Sequence, residues 1–239
     1  MENQPRTDIL QAIAHRLETI KLPHPLRVGI DGVSASGKTV FADELAIVLR
    51  KINREVIRTG IDGFHNPPEI RHRRGVMSVE GYVEDSFDYS AVRKHVLNPL
   101  GPGGNLSYVP EVYDHAQGAT KQPDPIFASP DAILLFEGVM LFRREIANAF
   151  DYRILVDTSF QEALERAKTR DLRHFGDMKT LLDKYTRRFF PGQKHYLESH
   201  RPEEIVDAII GNDDFGKPIL RFPNEHLVKP QSRGKGFSG

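Results

Sequence analysis

The 239-residue sequence has no cysteine, which excludes disulfides, thiolate zinc sites and thiol nucleophiles and suits a reducing cytosol. It has no excess of either charge, with 33 Lys plus Arg against 33 Asp plus Glu. The overall basic footprint of a nucleic-acid or membrane-surface binder is missing, and neither partner is expected. Long apolar runs are scarce too. The richest, AILLFEGVMLF, is interrupted by Glu137 and is far shorter than the ~20 residues of a membrane span. The first residues, MENQPRTDIL, lack the basic-then-apolar order of a secretory leader. Ten histidines are present, but none has H-x-x-x-H or H-E-x-x-H spacing, so no histidine metal site is expected. The expected location is cytoplasmic.

What is present alternates between strand-like and helix-like segments. Ile9, Leu10, Ile13, Leu17 and Ile20 recur at helical spacing, ended by Pro23 and Pro25. LRVGID, EVIRTGID, AILLFEG, YRILVDT and VDAIIGN read as short buried strands. VFADELAIVLRKI, YSAVRKHVLNPL, SFQEALERAKTRDLRHF and DMKTLLDKYTRRFF read as helices. The stretch from Gly63 to about Asp88, with Pro67, Pro68 and RHRR, is irregular. This order predicts an α/β layered domain on a mainly parallel sheet. The expected division is an N-terminal helix over 1–25 packed on the core, a main domain over 26–216, and an irregular tail over 217–239.

GVSASGKT, residues 32–39, fits G-x-x-x-x-G-K-[ST] between a strand and a helix. Glycines let the backbone wrap close to phosphates with its N–H groups inward, and the following helix aims its positive end at the same place. Gly32, Ser34, Ala35, Ser36, Gly37, Lys38 and Thr39 are the candidate contacts to a nucleoside triphosphate, ATP or GTP. Lys38 would reach the β- and γ-phosphates, and the Thr39 hydroxyl would bind Mg²⁺.

Three classes use such a loop. A regulatory GTPase needs N/T-K-x-D, and TKQPD has its acid one place late. A motor-type ATPase usually ends its acidic strand in Asp-Glu, whereas AILLFEG ends in a single Glu137. A small-molecule kinase needs a carboxylate near the acceptor hydroxyl, a lid carrying arginines and a pocket, and candidates for all three are present. Binding sites in parallel sheets lie beyond the carboxyl ends of the strands, so Asp62, Glu137 and the phosphate loop should converge. Asp62 is the expected base or orienter of the hydroxyl, the alternative being a turn cap before Gly63. Glu137 is the expected partner of Mg²⁺ through water. Arg166, Arg170 and Arg173 share a predicted helix face, with Arg166 and Arg170 the candidates for stabilising γ-phosphoryl charge. The RHRR of 71–74 is expected to be a solvated loop. A nucleotide-binding regulatory module without transfer remains the reading from another class.

GVSASGKT, IDGF, SFDY, VPEVYDH, LLFEGVMLF, LVDTSFQEALERAKTRD and VDAIIGND together resemble the uridine kinase and phosphoribulokinase group of phosphate-loop kinases, uridine-kinase-like proteins most closely. The resemblance runs from about Leu26 to Asn212. It implies a five-stranded parallel sheet of order 2-3-1-4-5, an acceptor-site insert at about 63–125, a lid at about 162–195, and often homo-oligomers. It implies Mg²⁺- and ATP- or GTP-dependent phosphorylation of a primary hydroxyl, in uridine kinases the nucleoside 5′-hydroxyl. Asp62 matches the family's base, Lys38 and Thr39 its loop residues, and Arg166 and Arg170 its lid arginines. Phe64, His65 and Tyr113 fall at its acceptor site. The chain departs from the pattern where uridine kinases place a ribose-binding Asp, since Tyr82 stands there, with Asp85 or Asp88 as substitutes. The family's base-reading His is absent from its place, and His115 is shifted.

Overall fold

The computed structural model describes residues 5–52, 54–114 and 117–223, and His115 lies outside them. Five strands form its centre: β1 (Leu26–Gly32), β2 (Val56–Gly60), β3 (Ile133–Gly138), β4 (Tyr152–Asp157) and β5 (Ala208–Gly211). They run parallel in the order β2-β3-β1-β4-β5, the expected 2-3-1-4-5. A sixth, β6 (Ile219–Arg221), pairs antiparallel to β5. This segment falls in the stretch expected to be an irregular tail. A turn at Asp214, whose carboxylate accepts from the Gly216 and Lys217 amides, reverses the chain onto the sheet edge.

The strands read as apolar runs because both faces of the sheet are covered. Leu26, Val28, Ile30, Ile133, Leu135, Ile154 and Ile210 point to one face. There they meet α1 (Arg6–Thr19), through Ile9, Ile13 and Leu17, and α2 (Lys38–Leu49), through Phe41, Leu45 and Leu49. Alternate residues, Leu134, Phe136, Leu155 and Ile209, point to the other face and pack on Val96, Leu97, Phe142, Phe150 and Tyr196. Each such buried side chain contributes about 1.5–3 kcal/mol relative to exposure. Among the described residues no helix is long and apolar enough to cross a membrane.

Two regions depart from the sequence reading. The irregular stretch contains α3 (Val79–Asp85), started by Ser78, whose hydroxyl accepts from the Gly81 amide. After α4 (Phe160–Arg170) and α5 (Met178–Lys184), the helical path does not stop at Pro191. It passes through a π-helical turn, Tyr185–Phe189, into α6 (Phe190–His200). Pro191 is the second residue of α6, directly after that π-helical turn.

Candidate active site

The sheet register sets the site. Gly60 at the end of β2 lies opposite Glu137 in β3, and Glu137 lies opposite Ile30 in β1. The three strands therefore finish at one level, and the segments leaving them meet in one place. Gly60 makes that approach feasible, because a Cβ there would lie 2.6 Å from the Glu137 carbonyl oxygen. The chain then turns through a 3₁₀ segment, Ile61–Phe64, which puts Asp62 on the surface and Ile61 in the core.

The phosphate loop links β1 to α2. Gly37 caps the helix at φ 91°, a left-handed conformation suited to glycine, and Ala35 also has positive φ, at 62°. The Ser36 carbonyl accepts from Thr158 Oγ1 at 3.1 Å, Arg166 Nη1 at 3.2 Å and Asn212 Nδ2 at 2.7 Å. Lys38 is buried, its Nζ donating to the Val33 carbonyl at 3.3 Å, and the Ser36 hydroxyl is buried without a partner. The loop thus offers a buried cation and an unsatisfied hydroxyl at the N-terminus of a twelve-residue helix, which fits a phosphate chain. Thr39 Oγ1 donates to Glu137 Oε1 at 3.1 Å. Burial pushes the Glu137 carboxyl up, and nearby Asp62 pushes the same way; Lys38, Arg58 and the Thr39 hydroxyl oppose the shift. These hard oxygen donors suit Mg²⁺. Among the described residues no cluster of three His, Asp or Glu side chains could hold a metal by itself.

A cleft of about 570 Å³ opens beside the loop. Lys38, Thr39, Asp62, His65, Glu137 and Arg170 line it. His65 Nδ1 lies 2.9 Å from the Asp62 carbonyl oxygen, and its ring packs against Phe87 and Tyr113. Tyr113 is buried, and its hydroxyl accepts from Arg71 Nη2 at 3.2 Å. Arg170 holds Asp171 through two hydrogen bonds, at 2.6 and 2.8 Å, which keep the guanidinium firmly charged at the cleft wall.

Other sequence-predicted residues lie elsewhere. Phe64, expected at the acceptor, is fully buried against Phe136 in the core, because the 3₁₀ turn directs it downward. Asp85 does not line the cleft. Its carboxylate is covered by Arg73 and by Arg74, whose Nε is 2.9 Å away, and these partners hold its pKa below the usual range. Asp88 caps the next short helix by accepting from the Ala91 amide at 2.8 Å. Arg166 is a strap rather than a cleft residue. Its guanidinium donates to the Ser36, Asn212 and Asp213 carbonyls and to Glu162. Arg173 leaves the shared face because α4 ends at Arg170.

The structure adds residues that the motif did not reveal. Gln193 receives the Ser34 amide at 3.1 Å and donates to the Ser34 hydroxyl at 2.6 Å and the Tyr82 hydroxyl at 2.7 Å. It therefore ties the phosphate loop to α3. Burial pushes the Tyr82 phenol up to about 12. Beneath the loop, buried Asp31 accepts from the Gly32 and Phe142 amides and from Tyr196 Oη. Burial raises its pKa against those hydrogen bonds.

A parallel sheet carrying this loop at the start of α2 is a phosphate-loop nucleotide-binding fold. The chain belongs to the phosphoribulokinase / uridine kinase family, whose model matches residues 27–205. It is 27% identical over 216 residues to uridine-cytidine kinase B of Dictyostelium discoideum, covering 90% of this chain and 86% of that one. It is also 27% identical over 149 residues to a pantothenate kinase of Corynebacterium diphtheriae, covering 59% and 47%. Among solved structures, one described as a possible uridine kinase from Bacillus stearothermophilus superposes with a TM-score of 0.67 at 20% identity, covering 85% of this chain and 97% of that one.

Proposed function

We propose that the protein transfers the terminal phosphoryl group of a Mg²⁺-bound nucleoside triphosphate, ATP or GTP, to the hydroxyl of a small molecule. The observation that carries this reading is the register of Gly60, Glu137 and Ile30, which brings Asp62, Glu137 and the phosphate loop to one end of the sheet. The loop and Lys38 hold the phosphates, with Thr39 and Glu137 as the protein groups on the Mg²⁺ side. The ion, when bound, neutralises charge developing on the phosphate oxygens. Asp62 orients the acceptor hydroxyl and takes its proton, and Lys38 and Arg170 stabilise the charge on the transferring group. Arg166 acts by fixing the loop, and the helices over 162–195 serve as a lid.

Two acceptor classes fit. A pyrimidine nucleoside, phosphorylated on its 5′-hydroxyl, is supported by the motifs and by the likeness to a uridine-cytidine kinase. Another small metabolite alcohol is supported by a shorter match to a pantothenate kinase, 27% identical over 149 residues and 47% of that protein, and by the place of the expected ribose-binding acid, which Tyr82 occupies. The test is nucleoside diphosphate (ADP or GDP) release from Mg-ATP or Mg-GTP with uridine, cytidine and a panel of sugars and small alcohols. A kinase releases the nucleoside diphosphate much faster with its acceptor. Tight nucleotide binding with no acceleration by any acceptor would favour a regulatory module instead.

A further inference from the structure

The cleft also carries a group of cations besides Lys38 and Arg170. Arg71, Lys184 and Arg188 all line it. Arg188 is only 7% exposed, and its Nε is buried without a hydrogen-bond partner. Arg71 Nε is likewise buried and unpartnered. Among the described residues none of the three forms an ion pair with a carboxylate. Lys184 donates only to the Val76 carbonyl, at 3.3 Å, and Arg71 to the Tyr113 hydroxyl. Ring faces compensate in part, with Arg188 5.2 Å from the centre of Tyr82 and 5.5 Å from that of Phe189.

The three cations also act on one another. Burial and the charge of Arg188 lower the Lys184 pKa, and burial with the charge of Arg71 lowers that of Arg188. His72, beside them, is lowered by burial and then by all three. A guanidinium does not relieve such a cost by losing its proton. An isolated buried charge is expensive unless a counter-ion arrives. The carboxylates in the cleft are committed or distant in role: Asp171 to Arg170 and Tyr185, Glu137 to Thr39, and Asp62 to the acceptor hydroxyl. Tyr82 connects the two ends, since both Asp62 and Arg188 act electrostatically on its phenol.

We propose that Arg71, Lys184 and Arg188 form a seat for an anionic group on the acceptor, so that the substrate is a hydroxy compound bearing a phosphate or a carboxylate rather than a neutral nucleoside. This rests on the kinase reading for the statement that the cleft receives the acceptor. Arg71 and Arg188 present planar donors suited to either anion, while Lys184 adds a point charge. The acceptor is then held at one end by its charge and at the other by Asp62.

The test compares matched pairs in the ADP- or GDP-release assay: D-ribose with D-ribose 5-phosphate, and glycerol with glycerate, alongside uridine and cytidine. The charged member of at least one pair should exceed its neutral partner and both nucleosides in kcat/KM by roughly tenfold or more. Arg188→Met should raise its KM roughly a hundredfold while leaving the KM for ATP within about twofold, and Arg188→Lys should recover part of the loss. A second measurement needs no turnover. With Mg-AMP-PNP saturating the phosphate loop, inorganic phosphate and acetate are titrated against melting temperature. Wild type should show a saturable rise with one of them, and whichever acts tells a phosphate seat from a carboxylate seat. Arg188→Met and Lys184→Met should lose that rise.

Faster turnover of uridine or cytidine than of every charged compound, or identical anion titrations in wild type and variants, overturns the proposal. The two readings fail separately. An anion titration lost in Arg188→Met, with no acceptor turned over, leaves the seat standing and removes the kinase reading. Nucleoside turnover without any anion titration does the reverse.

Discussion

The two walls of the cleft are built on different principles. On the phosphate-loop wall most polar groups are matched within the protein, the buried Ser36 hydroxyl excepted: Lys38 to Val33, Thr39 to Glu137, Ser34 to Gln193, and the Ser36 carbonyl to three donors. On the other, Arg71, Lys184 and Arg188 lie within electrostatic reach of one another without carboxylate partners among the described residues. The first wall is preorganised, so its geometry costs little to maintain before the nucleotide binds. The second carries electrostatic strain that a ligand of the right charge would relieve. The contrast suits a family in which the donor chemistry is shared and the acceptor differs.

The largest expected effect lies on the preorganised wall. Lys38→Ala should lower kcat/KM by about 10³-fold and weaken nucleotide binding as well, read by ADP or GDP release and by equilibrium titration of the nucleotide. Unchanged activity would mean that the loop does not grip the transferred phosphate.

A smaller effect is expected where the two walls are tied. Gln193→Ala removes the bridge between Ser34 and Tyr82. It should raise the KM for the nucleotide by about tenfold and cost about 1–2 kcal/mol of stability. Tyr82→Phe, which removes one of those bonds, should show a fraction of each effect. No effect from Tyr82→Phe beside a full effect from Gln193→Ala would mean that Gln193 does not transmit order from α3 to the loop.

The smallest effect belongs to Asp31, beneath the loop. Burial raises its folded-state pKa above the ordinary 3.8. Between 3.8 and the raised value the folded protein holds a proton that the unfolded chain has released, so stability should rise as pH falls through that window. Asp31→Asn should flatten this part of the profile, measured by urea unfolding at a series of pH values. A slope unchanged by the substitution would assign it to another group.

How much of this is legible in the sequence depends on how local each feature is. The strands and the phosphate loop follow from short strings, since a buried strand or a glycine turn is specified by the residues within it, whereas the order of the strands comes only from the family resemblance. Asp62 and Glu137 are marked by their position at strand ends. Residues whose setting depends on distant partners are the ones that mislead. RHRR looks like one solvated run, but Arg73 and Arg74 turn to Asp85 while Arg71 enters the cleft beside residues more than a hundred positions away. Phe64 comes two residues after Asp62, and the 3₁₀ turn sends it to the core. Pro191 resembles a helix end, yet the π-helical turn before it places it in the first turn of α6. Arg188 lies in that same π-helical turn, and nothing in its sequence neighbours shows that it is buried without a counter-ion.

The central claim is that Asp62 aims an acceptor hydroxyl at a triphosphate held by residues 32–39. Its most direct test is a parallel measurement on wild type and Asp62→Asn of nucleotide affinity and of phosphorylated product, the latter by mass spectrometry. The account expects affinity unchanged within about twofold and product formation slowed by about 10²–10⁴-fold. Product formed by Asp62→Asn at a rate within a few-fold of wild type would contradict it.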